Sequence, residues 1–142
     1  MIVELEVSRM DIFRARIQRH RAIAGYILFL YIIFQGCFSF PFANEEFPLT
    51  FSKAIVMLIG YGLTGMCFAG LLDKQKEVRV FLMSFGFTGV GMVCRFILEY
   101  GEVSNAMNFT PLNIFLYLVV VPLYCTAIYW GINKWESGQK EA

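Results

Sequence analysis

Residues 54–72 read AIVMLIGYGLTGMCFAGLL, a run without one Asp, Glu, Lys, Arg or His. A helix on the surface of a soluble domain carries polar side chains down one face. Here the apolar residues go all the way round. About 20 such residues are what a helix needs to cross a hydrocarbon core of about 30 Å. Only helices and closed barrels satisfy their backbones in lipid, and the two-residue alternation of a barrel strand is absent, so the stretch reads as a transmembrane helix.

Outward from it the same pattern recurs three times. Ala22 to about Phe42 is free of charge, Val80 to about Leu98 is interrupted only by Arg95, and Pro111 to Ile132 is again uncharged. The composition agrees: 58% of residues are hydrophobic and 16% charged, against about 25% charged in soluble domains. The expected fold is an all-α membrane protein, a four-transmembrane-helix bundle. Residues 1–21 form a cytoplasmic arm and amphipathic helix, 22–132 the membrane domain (spans about 22–42, 54–72, 80–98 and 111–132), and 133–142 a tail. The first run is too long for a signal peptide and lacks an A-x-A-like cleavage site, so it is expected to stay as a span.

Charge sets the orientation. All of the 12 Lys and Arg residues except Lys53 and Arg95 fall before the first span, between the second and third, or after the fourth. Positive charge favours the cytoplasm, so both termini and the middle loop are expected inside a cell membrane crossed several times.

The second and third spans are rich in small residues. Gly62, Gly65 and Ala69 on one and Gly86 and Gly89 on the other follow a spacing that lets two helix backbones approach closely. Because a short loop joins these spans, they are expected to be antiparallel neighbours with Gly65/Ala69 against Gly86/Gly89 as their seam. Pro122, midway along the fourth span, is expected to kink it.

Chemistry-bearing residues are scarce. His20 is the single histidine, no Cys pair has metal or redox spacing, and Cys37, Cys67, Cys94 and Cys125 fall one per apolar run. No catalytic set, metal site or cofactor is therefore expected. Arg95 and Glu99, four apart on one helix face, are expected to form an ion pair near the outer interface. The Asn108-Phe109-Thr110 sequon lies too close to the fourth span to be an easy acceptor.

The N-terminal segment is the most distinctive part outside the spans. Val3, Leu5 and Val7 alternate with polar residues as in a half-exposed strand, and Ser8-x-x-Asp11 resembles a capping box. Phe13 and Ile17 then recur at helical spacing among Arg9, Arg14, Arg16, Arg19 and Arg21. Such a helix can lie on anionic lipid. It can also dock a partner, with Val3, Leu5 and Val7 adding a strand to a sheet edge and Phe13, Arg14, Ile17, Lys74, Lys76 and Arg79 completing the surface.

The run Leu58–Gly70 and the segment Ala127–Trp135 resemble small four-span membrane proteins of Gram-positive bacteria encoded beside LytTR-type transcription regulators. The resemblance covers the C-terminal two-thirds of the chain and rests on glycine and aromatic texture. It implies a non-enzymatic membrane regulator that binds and sequesters a cytoplasmic LytTR-type regulator, with membrane lipid as its other partner, no direct contact with nucleic acid, and a homodimer compatible with the helices. Two other readings are a small transporter or flippase using Arg95 and Glu99, and an immunity or assembly subunit of a membrane complex.

Overall fold

A computed structural model describes residues 9–39, 48–72 and 75–141. Val3, Leu5, Val7, the end of the first expected span and Lys74 lie outside the described residues. Within them the chain is helical with no strand. Helix α1 is Arg9–Arg19, α2 Arg21–Ser39, α3 Phe51–Leu71, α4 Glu77–Leu98, α5 Val103–Asn108 and α6 Pro111–Phe115; a π-helical turn, Leu116–Val120, then leads into α7, Val121–Glu141.

Three helical stretches are long and apolar enough to cross a membrane: Phe51–Leu71, Glu77–Leu98 and Pro111–Gly138. A fourth is reached if α1 and α2, bent by 96° at His20, count as one broken span. Local chemistry explains several boundaries. Thr50 caps α3 by accepting from the Lys53 N–H at 3.3 Å. Thr110 caps α6 in the same way from Asn113 at 3.2 Å, with Pro111 at the first helical position, where its missing N–H costs nothing.

The helices pack in the cyclic order α2, α4, α7, α3. This overturns the expected seam. α3 and α4 lie across the diagonal and meet each other less than either meets α7. The stacked rings of Phe68 and Phe87, 6.3 Å apart, stand between them.

Close backbone approach occurs elsewhere. A Cβ on Gly36 would lie 2.6 Å from the Gly91 Cα, so α2 and α4 cross glycine on glycine. A Cβ on Gly65 would fall 2.8 Å from the Ile128 Cβ and 2.9 Å from the Cys125 carbonyl, so Gly65 admits α7. A Cβ on Gly62 would lie 3.4 Å from the Tyr124 hydroxyl of that same helix, Ala69 is wholly buried, and Gly86 and Gly89 face open space.

The last helix accommodates its proline by a local change of pitch. Pro122 is fully buried, and a π-helical turn precedes it, closed by the Val121 N–H donating to the Leu116 carbonyl. A wide turn there relieves the clash of a proline ring with the carbonyl four residues earlier. The 28 residues of Pro111–Gly138 rise about 42 Å at ~1.5 Å per residue, so the helix outlasts a span by two turns.

Candidate functional site

Polar side chains concentrate at the two ends of the bundle. At one end lies α1. Asp11 in its first turn and Arg16 and Arg19 in its last suit the helix dipole. It stops at His20, whose N–H donates back to the Ile17 carbonyl at 3.1 Å, and α2 restarts with the Ala24 N–H donating to the His20 carbonyl at 2.9 Å.

The 96° bend lays α1 across the ends of α3 and α7. Gly70 makes room for it: a Cβ there would sit 2.7 Å from Ile17 Cδ1 and 3.0 Å from Phe13 Cε1. Gln18 Nε2 donates to the carbonyls of Gly70 and Leu71, both at 3.0 Å. These belong to the last turn of α3, which has no helical N–H to offer them. The Tyr129 hydroxyl donates to the carbonyls of Leu72 at 3.1 Å and Gln75 at 2.9 Å.

The clasp closes on α7. Arg14 Nη1 pairs with Glu136 Oε2 at 2.7 Å, and Arg14 Nη2 donates to Asn133 Oδ1 at 2.6 Å. The two charged side chains keep only 15% and 9% of their exposure. At that burial the pair gains little over an apolar substitute, but removing one partner strands the other charge.

Of the residues expected to face a partner, Phe13, Arg14 and Ile17 thus turn toward the bundle. Lys76 and Arg79 are exposed, with the Arg79 guanidinium donating to Gln75 Oε1 at 2.9 Å. Arg16, Arg19 and Arg21 are exposed around them, as are Ile12 and Trp135. Lys134 lies 4.8 Å over the Trp130 ring, a cation–π contact.

At the opposite end Arg95 pairs with Glu99 and also donates to the Cys37 carbonyl of α2. Glu99 is 7% exposed. Asn108 Nδ2 donates to both of its carboxylate oxygens, at 2.9 and 3.0 Å. Asn113 Nδ2 in turn donates to the Asn108 carbonyl at 3.0 Å, and Asn105 Nδ2 to the Glu99 carbonyl at 3.3 Å. Gly101, at φ +85°, turns the chain back after α4 so that α5 can carry Asn108 over the carboxylate. The result is a closed knot tying α2, α4, α5 and α6. The amide of Asn108 is buried against Glu99, so the sequon is closed as well.

Between the ends, polar groups pair locally. Thr64 donates to Gln35 Oε1 at 3.1 Å, Tyr31 to the Gly60 carbonyl at 3.4 Å, and Thr88 to the Ser84 carbonyl at 3.0 Å. The four cysteines are free thiols, and among the described residues no group of three His, Cys, Asp or Glu could hold a metal ion.

Sequence reasoning missed Asn108, Asn113, Asn133, Glu136 and Gln18. Gln18, Asn133 and Glu136 have partners distant in the chain, whereas Asn108 and Asn113 meet theirs nine and five residues away in the segment that folds back after α4. The length of α7 is the one signal that could have pointed to Asn133 and Glu136, because residues beyond a span need somewhere to pack.

No protein-family model matches this chain, and neither a curated protein nor a solved structure is similar to it.

Proposed function

We propose that the chain is a four-span membrane protein whose α1 end lies in the cytoplasm and holds a cytoplasmic transcription regulator at the membrane, without enzymatic chemistry of its own. One observation carries the reading: α1 is clasped to α3 and α7 through Arg14, Gln18 and Ile17, and this fixes Arg16, Arg19 and Arg21 outward beside Lys76 and Arg79. Five cations on one end satisfy the positive-inside rule. They also form a rigid basic surface on which an acidic partner surface can seat. The partner class comes from the resemblance to membrane proteins encoded beside LytTR-type regulators. The arm of Val3, Leu5 and Val7 would supply the apolar contact.

The knot at the other end weighs against the transporter reading. Arg95 and Glu99 are bound to the Cys37 carbonyl and to Asn108, which leaves them serving the fold instead of a moving substrate.

The test is co-purification in mild detergent with the candidate regulator, together with its partition between membrane and cytosol. Arg16→Glu/Arg19→Glu, and deletion of residues 2–7, should each release the regulator while the bundle stays folded. Retention of the regulator by both variants would refute the reading.

A further inference from the structure

A groove opens at the α1 end where the diagonal placement of α3 and α4 leaves α2 partly uncovered. Leu28 of α2, Phe68 and Leu71 of α3, and Met83 and Phe87 of α4 line it, with a volume of about 160 Å³. Gly25 forms part of its wall and has nothing within 4 Å of where a Cβ would stand. Arg21 lines its mouth. That guanidinium is exposed and makes no ion pair among the described residues.

An apolar slot with a cation in its lining, at the end that the proposed orientation puts in the cytoplasm, is complementary to a molecule with an anionic head and an apolar chain. We infer that the groove binds an acidic phospholipid of the cytoplasmic leaflet, its headgroup phosphate on Arg21 and an acyl chain beside Gly25, Phe68 and Phe87. The inference rests on the proposed membrane orientation and adds a specific lipid site to it. The site would fix the elbow between α1 and α2, since Arg21 is the first residue after the bend. Headgroup binding there holds α1 in its clasped position. A diffuse basic surface attracts anionic lipid too, but it has no slot that one side chain can fill. That difference makes the proposal testable.

The purified full-length chain, in a mixture of phosphatidylglycerol and phosphatidylcholine, is examined by native mass spectrometry for bound lipid. The intact protein should retain phosphatidylglycerol over phosphatidylcholine by about fivefold, the factor one cation contributes near an anionic surface. Arg21→Gln should bring the two lipids close to parity. Gly25→Leu, which meets no atom within 4 Å at its Cβ, should fold and lose the bound lipid of either kind. Lys134→Gln, exposed as well but outside the groove, should behave as the parent protein. Unchanged selectivity in Arg21→Gln, an equal loss in Lys134→Gln, or full retention by Gly25→Leu would each overturn the site. Alkaline carbonate extraction separates the two levels. A chain that stays in the membrane yet shows no selective lipid loses only the site, whereas a chain released by carbonate loses the membrane reading with it.

Discussion

Arg14 is one side chain that joins the two ends of the chain, since its partners Asn133 and Glu136 lie 119 positions away or more. Replacing it by Ala takes from buried Glu136 the cation it pairs with, at a cost of roughly 3–5 kcal/mol. Lys should recover part of that, because its single ammonium cannot reach carboxylate and amide as a planar fork does. Thermal melts in detergent, with limited proteolysis at the α1–α2 elbow, check both: cleavage near His20 should rise sharply in Arg14→Ala and modestly in Arg14→Lys. Asn108 plays the matching part at the other end. Asn108→Ala removes the donors to Glu99 and should lower stability by roughly 1.5–3 kcal/mol, the range for hydrogen bonds to a charged group. The ion pair of Arg95 and Glu99 could be read from their spacing of four. The asparagines that hold it could not, because an isolated amide in a sequence says nothing about which turn will bring it to a carboxylate.

At the scale of elements, hydropathy located the helices and failed to pair them. The expected spans at 54–72 and 80–98 fall on α3, Phe51–Leu71, and α4, Glu77–Leu98. Glycine content signals that a close approach occurs somewhere on a helix, without naming the helix that approaches. A short loop favours neighbours, yet Phe68 and Phe87 hold α3 and α4 apart and the glycines of α4 divide: Gly91 meets Gly36, while Gly86 and Gly89 meet nothing. This gives an ordered set of substitutions. Gly36→Ala and Gly65→Ala should each destabilise by about 1–3 kcal/mol through overpacking. Gly86→Ala and Gly89→Ala should be neutral or stabilising by up to ~1 kcal/mol, the helix preference of Ala over Gly. Losses at Gly86 and Gly89 equal to that at Gly65 in detergent melts would restore the rejected seam. The π-helical turn before Pro122 was likewise hidden, since a proline marks where a helix must adapt and leaves the manner of adapting to its packing.

For the whole molecule, two polar closures bracket an apolar middle. One is made by a helix that bends 96° to lie across the bundle, the other by a short helix that folds back over a buried carboxylate. The length of the last helix follows from this arrangement: it continues past Ile132 because α1 needs Asn133 and Glu136 to close on. The basic end and the Arg95 end then differ in kind, the first presenting cations outward and the second binding its cation inward. The proposed orientation puts these ends on opposite sides of a membrane, with the α1 end in the cytoplasm. Single cysteines at Arg16, Ser137 and Glu102, in a chain whose four native cysteines are replaced by Ala, can be exposed to a membrane-impermeant maleimide in intact cells. Arg16→Cys and Ser137→Cys should label only after permeabilisation, and Glu102→Cys should label without it. Labelling of Arg16→Cys in intact cells, or the same behaviour at positions 16 and 102, would overturn that orientation.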